Sequence, residues 1–116
     1  MNSAIGYTRL SQDSDTSIDR QTRHIREYAD ERGLTLEHIY DDGKRSSGFD
    51  ESREEYQRLR DRIQSEDTMA VIVNDKRRLA RDFDETMRLV LDLREHDVEA
   101  HTFQEGRIDL SDPVQA

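Results

Sequence analysis

Met69-Ala70-Val71-Ile72-Val73 is the stretch that decides the fold of this chain. The run is apolar on both faces, whereas a half-exposed strand would alternate apolar and polar side chains. A strand that is buried on both faces belongs in the middle of a parallel sheet that is covered by helices. The run therefore predicts the centre of such a sheet.

Strands and helices alternate outward from this central run. Ala4-Ile5-Gly6-Tyr7 and the segment from Leu34 to Tyr40 predict two strands before it, and Val98 to Phe103 predicts a strand after it. Helical spacing predicts a helix between successive strands. The positions that carry this spacing are Ile18, Thr22, Ile25, Tyr28 and Ala29 in the first helix, Tyr56, Leu59 and Ile63 in the second, and Phe83, Met87, Val90, Leu91 and Arg94 in the third. We therefore expect an α/β domain with a mainly parallel central sheet of about four strands, flanked by helices.

Two local signals mark helix ends. Gly33 fits the left-handed position just past the first helix. Ser111-Asp112-Pro113 is typical of an N-cap followed by a proline in the first helical position. Residues 1–110 are thus predicted to form one domain, and residues 111–116 to begin a further helix.

The composition narrows the function classes. Of the 116 residues, 32% are hydrophobic and 39% are charged, so we expect one folded domain with a heavily charged surface. The absence of cysteine excludes disulfides and thiolate zinc sites. The sequence has no apolar stretch of membrane-spanning length and no signal peptide, so we expect a cytoplasmic protein that does not contact a membrane.

Acidic residues clearly outnumber basic residues. The 27 acids and 18 basic residues, of which only Lys44 and Lys76 are lysines, give a net charge of −9. Such an excess is typical of a proteome adapted to high salt, which screens the repulsion within an acidic surface, so we expect a halophilic archaeal source. A net acidic chain attracts nucleic acid poorly, and any contact with DNA must therefore come from clustered arginines.

Such clusters follow three of the predicted strands. Arg9 and Ser11 follow the first strand, the segment from Lys44 to Arg53 follows the second, and the segment from Lys76 to Arg81 follows the third. The carboxyl ends of the strands in an open α/β sheet form the edge where ligands bind. We therefore expect a serine and several arginines to face one crevice.

A serine among arginines suits attack on a phosphodiester. A serine hydroxyl is a weak nucleophile that needs help to lose its proton. Its attack builds negative charge on the phosphate oxygens, which guanidinium groups stabilise with paired donors. No metal ligands and no Walker motif accompany the cluster, so the pattern favours metal-free phosphoryl transfer through a covalent protein–phosphate bond.

Each element also has a purely structural interpretation. Ser11 could be a turn or cap residue. Arg77, Arg78 and Arg81 could be a solvated helix start, although the helix dipole disfavours cations at that end. Ser46-Ser47-Gly48 could be an ordinary loop or a weak phosphate-binding nest.

The motifs resemble those of serine recombinases of the resolvase/invertase type. Tyr7-Thr8-Arg9-Leu10-Ser11 resembles the family's N-terminal Tyr-x-Arg-x-Ser signature. Ser17-Ile18-Asp19-Arg20-Gln21 resembles the segment that follows the signature, with Gln21 in the place of the family's active-site glutamine. The order of the motifs along the chain, together with their spacing, makes the resemblance specific.

Further matches extend the resemblance to the end of the chain. They are the loop from Asp41 to Gly48, the arginine Arg53 that opens the next helix, the strand Val71-Ile72-Val73, the Arg-Leu-x-Arg motif Arg78-Leu79-Ala80-Arg81, and the lead-in to the long terminal helix, Ile108-Asp109-Leu110-Ser111.

The resemblance assigns roles to individual residues. The catalytic set is Ser11, Arg9, Arg78, Arg81, Arg53 and Gln21, and the substrate-binding set is Tyr7, Lys44, Ser47 and Arg77. Ser11 would form a phosphoserine bond to a DNA end, three arginines would hold the scissile phosphate, and Arg53 and Gln21 would support them. The resemblance implies neither a cofactor nor a metal, because the phosphoserine bond stores the energy for religation.

The partners implied by the resemblance are double-stranded DNA and further copies of the chain. The full-length protein would be a homodimer or tetramer held together largely by the long terminal helix. Six residues of that helix are too few to form it in isolation. We therefore expect the 116-residue chain to be monomeric or weakly associating, and to bind duplex DNA poorly.

One position departs from the family pattern. The family usually has aspartate just before the first arginine of Arg-Leu-x-Arg, where this chain has Arg77. The role of that aspartate is lost or has moved, with Asp75 and Asp82 as the nearby acids. Arg77 thus favours one alternative, a catalytically inactive regulatory or partner-binding module on the same fold. A second alternative is a small α/β domain that binds a phosphoester or nucleotide.

Overall fold

Five strands form one sheet in the computed structural model, which describes residues 2–9, 17–41, 54–65, 68–75 and 83–108. The elements, in chain order, are β1 Ser3–Thr8, α1 Ile18–Arg32, β2 Thr35–Asp41, α2 Glu54–Ser65, β3 Ala70–Val73, α3 Phe83–Glu95, β4 Glu99–Thr102 and β5 Gly106–Arg107. The strand order across the sheet is β2-β1-β3-β4-β5. The first four strands in this order are parallel, and β5 is antiparallel to β4.

The predicted central strand lies at the centre of the sheet. All four residues of β3 are buried, and the strand pairs with β1 on one side and with β4 on the other. Met69, which we expected to begin this strand, precedes it and is 38% exposed. The predicted α/β class with a mainly parallel sheet is confirmed.

The sheet has one strand more than the sequence predicted. β5 contains only Gly106 and Arg107, too few residues to show an alternating pattern, and glycine is disfavoured in strands. Its neighbour Ile108 donates its backbone N–H to the carbonyl of Ala100 and is buried, so the hairpin closes over the core. The predicted helix from Ser111 lies outside the described residues.

Residues at both ends of α1 satisfy its free backbone groups. The Ser17 hydroxyl accepts a hydrogen bond from the backbone N–H of Arg20, as an N-cap does. Gly33 takes the predicted left-handed conformation, with φ of +68°, and Leu34 then donates its N–H to the carbonyl of Ala29. Among the helices that the structure describes, none has the length and apolar composition needed to cross a membrane.

Helices cover both faces of the sheet. On one face, Ile25, Tyr28 and Ala29 of α1 pack on the small or branched side chains of β1 and β3. α1 lies close to the sheet because Gly6 has no side chain: a Cβ there would lie 2.9 Å from Cγ2 of Ile25. On the other face, the predicted residues of α2 are buried together with residues of α3: Tyr56, Leu59, Ile63, Leu89 and Leu93.

The buried stripe of α3 differs from the prediction. Leu91, which we placed in the stripe, is 56% exposed, and Arg94 is also exposed. Leu89 and Leu93 face the core instead, next to the correctly predicted Val90. Because Leu89-Val90-Leu91 is a continuous apolar run, two helical registers fit the sequence, and the packing against α2 decides between them.

Three polar side chains link α1 to β4. His101 lies between the hydroxyl of Tyr28, 2.6 Å from its Nδ1, and the carboxylate of Glu99, 2.9 Å from its Nε2. In neutral His101, Nε2–H donates to Glu99, and Nδ1 accepts from the Tyr28 hydroxyl. Burial raises the pKa of Tyr28, although the guanidinium of Arg32 over its ring opposes the shift.

This link predicts a stability difference that depends on pH. At neutral pH, Tyr28→Phe should lower the free energy of unfolding by about 1 kcal/mol, because one hydrogen bond to His101 is lost. The pKa of Tyr28 is higher in the folded than in the unfolded chain, so its contribution is complete below pH about 10 and is lost as the pH rises through the folded pKa. Urea unfolding at several pH values between 8 and 11 measures this.

The parent and the Tyr28→Phe variant should therefore converge in stability above pH about 10. Tyr40→Phe is the matched control, because it removes a tyrosine hydroxyl from β2, away from this link. A gap between the parent and Tyr28→Phe that stays constant from pH 8 to 11 would show that the hydroxyl of Tyr28 does not titrate as the structure requires.

Candidate active site

The carboxyl-terminal ends of the four parallel strands form one edge of the sheet, which we call the carboxyl edge. Arg9 follows β1 there, Asp41 ends β2, Asn74 follows β3 and Phe103 follows β4. The Thr8 hydroxyl donates to Oδ1 of Asp41 at 3.0 Å and joins the first two of these strand ends. The edge therefore collects polar groups from several separate segments of the chain.

Gln21 fixes the backbone at Arg9. Its Oε1 accepts from the Arg9 N–H at 3.3 Å, and its Nε2 donates to the Arg9 carbonyl at 3.1 Å. The Gln21 side chain is completely buried, so these bonds are shielded from water. One amide group thus satisfies both backbone groups of the residue that follows β1. The first turn of α1 thereby sets the path of the chain two residues before Ser11.

A second polar group on α1 contacts the end of β3. Nδ1 of His24 lies 2.7 Å from Oδ1 of Asn74, and Nδ2 of Asn74 donates to Oδ2 of Asp75 at 3.1 Å. Because the amide nitrogen of Asn74 faces Asp75, its oxygen faces His24, and His24 donates through Nδ1. Nε2 is then the ring nitrogen that can accept a proton in neutral His24.

This network lies partly beneath the surface. Asn74 is 1% exposed and Asp75 is 4% exposed. The ring of His24 stacks on Phe103, with the ring centroids 4.0 Å apart and the planes within 2°. A buried carboxylate needs hydrogen-bond donors, and Asn74 supplies one of them. The contacts fix the last residues before the segment that carries Arg78 and Arg81.

The predicted site residues fall into three groups. Arg9 and Gln21 lie together at the carboxyl edge. Tyr7 lies in the core with no exposed surface, and its ring meets that of Tyr56 edge to face at 5.5 Å. That burial argues against a direct contact between the Tyr7 side chain and DNA. The other predicted residues lie outside the described part of the chain: Ser11, Arg53, Arg78, Arg81, Lys44, Ser47 and Arg77.

Several of those residues closely follow a described strand end in the sequence. Arg9 precedes Ser11 by two residues, and Asp75 precedes Arg78 by three. The segment with Lys44 and Ser47 follows Asp41, the last residue of β2, and Arg53 immediately precedes α2. Arg9, Asp41 and Asp75, the described residues next to these positions, all lie at the carboxyl edge.

Sequence reasoning overlooked His24, Asn74 and Phe103. His24 lies three residues after Gln21 and thus on a neighbouring part of the same helix face. Asn74-Asp75 directly follows the apolar run of β3, which is the position where α/β sheets carry functional polar groups. These two signals were present in the sequence. The stacking of Phe103 on His24 depends on tertiary structure alone.

Comparisons with known proteins agree on one family. The family model described as the N-terminal domain of resolvase matches residues 4–116. The N-terminal catalytic domain of TP901-1 integrase is similar at 28% identity and a TM-score of 0.78, over 97% of this chain and 85% of that one. The comparison with curated protein sequences found no match.

Two further solved structures share the fold. A resolvase family site-specific recombinase from Streptococcus pneumoniae is 22% identical, with a TM-score of 0.79 over 96% of this chain and 77% of that one. The C-terminal catalytic domain of ISC1926 TnpA, an IS607-like serine recombinase, is also 22% identical, with a TM-score of 0.71 over 86% of this chain and 69% of that one. The arrangement of strands and helices is thus common to several catalytic domains.

Proposed function

Because the chain belongs to the family of resolvase N-terminal domains, we propose that it is the catalytic module of a site-specific DNA recombinase. Ser11 is the proposed nucleophile. The observation that carries this proposal is the double hydrogen bond from Gln21 to the backbone of Arg9. This bond fixes the chain at the carboxyl edge just before Ser11, and a nucleophile requires such fixed positioning for an efficient attack.

The proposed reaction exchanges one phosphodiester for another. The Oγ of Ser11 loses its proton and attacks the phosphorus of a DNA phosphodiester, and one sugar oxygen leaves and takes up a proton. The product is a phosphoserine link to one DNA end and a hydroxyl on the other. After strand exchange, the hydroxyl of a new partner end attacks the phosphoserine and releases Ser11. No oxidant, nucleotide or metal is needed to balance these steps.

The arginines of the module stabilise the charge that develops during this attack. Arg9, Arg78 and Arg81 are proposed to hold the non-bridging oxygens, with Arg53 in support, because guanidinium groups bind phosphate with paired donors and stay protonated. Gln21 acts through Arg9 and is therefore a positioning residue. Lys44, Ser47 and Arg77 are proposed to contact the DNA on either side of the reacting phosphate.

Asp75 offers an explanation for the departure at Arg77. An acid in the sequence between β3 and the Arg-Leu-x-Arg motif can hold arginines in place or accept a proton. Asp75 lies two residues before Arg77, is buried at the end of β3 and accepts a hydrogen bond from Asn74. We propose that Asp75 has taken over the structural part of the role that an aspartate at position 77 would have.

The proposed partners are duplex DNA and further copies of the protein. Cleavage of both strands at two sites requires several copies of a module with one nucleophile.

The proposed location is the cytoplasm, where DNA is accessible. The acidic composition, with 27 acids against 18 basic residues, further supports a halophilic source, because salt screens repulsion within such a surface.

The covalent intermediate provides the test. The complete protein is incubated with a pool of duplex oligonucleotides of randomised sequence, denatured to trap adducts, and digested with nuclease and protease. We expect the mass of a residual nucleotide phosphate on the peptide that contains Ser11. DNA binding without any adduct would instead support the inactive regulatory module. An adduct on another residue would refute the assignment of Ser11.

A further inference from the structure

The first half of α1, residues 18–26, carries an exposed basic surface. Arg20, Arg23 and Arg26 are all exposed, and against the single acid Asp19 they give this half a net charge of +2. The second half of the helix is acidic, with Glu27, Asp30 and Glu31 against Arg32. In a chain with a net charge of −9, such a separation within one helix calls for an explanation.

The charges at the two ends of α1 are mixed with respect to the helix dipole. Acids are favourable at the amino-terminal end of a helix and cations at the carboxyl-terminal end, each by about 0.3–1 kcal/mol near the termini. Asp19 in the first turn and Arg32 in the last turn follow this preference, whereas Arg20 in the first turn and Glu31 in the last turn oppose it. The dipole therefore does not account for the placement of the three arginines, which fits a negatively charged partner near the start of α1.

The three arginines have their charges available for such a partner. In the part of the chain that the structure describes, none of them forms an ion pair with an acid. Glu27 and Asp30 lie four residues after Arg23 and Arg26, but an acid on the carboxyl side of the basic residue is the weaker orientation for such pairs. The guanidinium groups thus remain exposed to solvent.

The position of this surface joins it to the candidate active site. Arg20 and Arg23 flank Gln21, which bonds to the backbone of Arg9, and His24, which bonds to Asn74. Arg20 and Arg23 therefore lie beside the carboxyl edge, on its solvent side. From Arg20 to Arg26 the helix rises about 9 Å, while phosphates along one DNA strand are spaced at about 3.4 Å of axial rise. The surface can thus span two to three phosphates.

We propose that Arg20, Arg23 and Arg26 bind the phosphate backbone of duplex DNA next to the phosphate that Ser11 attacks. This inference rests on the proposed function. It adds a DNA-binding surface that comes earlier in the sequence than the proposed catalytic arginines Arg78 and Arg81, which follow β3. The surface contacts phosphates and not base edges, so it positions the duplex without reading its sequence.

The salt dependence of DNA binding by the complete protein tests the proposal. The affinity for a fluorescein-labelled 30-base-pair duplex is measured by anisotropy between 25 and 200 mM KCl. Each phosphate contact contributes about 0.9 to the slope of log affinity against log salt. Arg20→Ala with Arg23→Ala should lower the slope by about 1 to 2, and a further Arg26→Ala should lower it again. Alanine is a good helix former, so the variants should fold.

Arg88→Ala with Arg94→Ala is the matched control. Both arginines are exposed on α3, on the opposite face of the sheet, and the change in net charge is the same. The control should leave the slope unchanged. An equal loss of slope in both double variants, an unchanged slope in the Arg20/Arg23 variant, or no binding by the parent at 25 mM KCl would each overturn the proposal.

The adduct experiment separates this inference from the proposed function. An adduct on Ser11 together with an unaltered slope in the Arg20/Arg23 variant would refute the DNA-binding surface and leave the recombinase chemistry standing. A lowered slope without any adduct would support the surface and refute the proposed chemistry.

Discussion

Ser11→Ala is expected to abolish the covalent protein–DNA adduct while changing the affinity for duplex DNA by no more than about tenfold. Alanine keeps the backbone and Cβ but has no oxygen that can attack phosphorus, so no other step can compensate. The lost hydroxyl contributes at most one hydrogen bond to DNA binding. Denaturing gel electrophoresis of the complete protein mixed with labelled duplex measures the adduct, and anisotropy measures the affinity.

Ser3→Ala is the control for this experiment. Ser3 is a buried serine at the start of β1, at the opposite edge of the sheet, and its hydroxyl donates to Glu37. This variant should form the adduct at the parental level. A protease-sensitive, slowly migrating band that persists in Ser11→Ala would mean that another residue is the nucleophile.

Gln21→Ala should lower the rate of adduct formation by about 10²-fold, because a misplacement of the reacting groups of about 1 Å can have an effect of this size. The variant loses both bonds to the backbone of Arg9 and leaves a buried cavity. The same change should lower the free energy of unfolding by about 2–4 kcal/mol. A thermal melt therefore accompanies the rate measurement, which is made where the variant is folded.

Gln21→Glu distinguishes positioning from a general loss of stability. Glutamate keeps the acceptor for the Arg9 N–H and the side-chain volume, but its carboxylate cannot donate to the Arg9 carbonyl. At neutral pH, its rate should fall between those of the parent and Gln21→Ala. As the pH is lowered and the introduced carboxyl is protonated, the ratio of its rate to the parental rate at the same pH should rise towards one. Adduct formation by folded Gln21→Ala at the parental rate would show that the Arg9 backbone does not depend on Gln21.

The sequence predicted the fold well where one local pattern had one structural solution. The run around Val71 is apolar on both faces, which only a covered sheet accommodates, and Gly33 fits a left-handed helix end that other residues adopt at a cost. The exposed Leu91 shows that the sequence alone did not determine the buried face of α3. Its apolar run fits two helical registers, and the choice depends on packing with α2, a contact between residues far apart in the sequence.

The candidate site was predictable only in part for a similar reason. The clusters that follow the strands indicated the carboxyl edge, because parallel strands must end there together. The burial of Tyr7 could not be read from its motif, since the helices that cover both faces of β1 come from later parts of the sequence. The contact of His24 with Asn74 likewise joins α1 to β3, and no spacing along the chain encodes it.

The position of β1 inside the sheet has a consequence for how the protein is made. β1 precedes the other described strands in the sequence, yet it pairs with β3 through residues as distant as Ala4 and Ala70. Such a pairing closes a long loop, which slows folding, and it cannot form until β3 has left the ribosome. A nascent chain that ends before β3 therefore contains Ser11 but has no assembled sheet edge. On the proposed function, Ser11 cannot cleave DNA until β3 has been synthesised and has paired with β1.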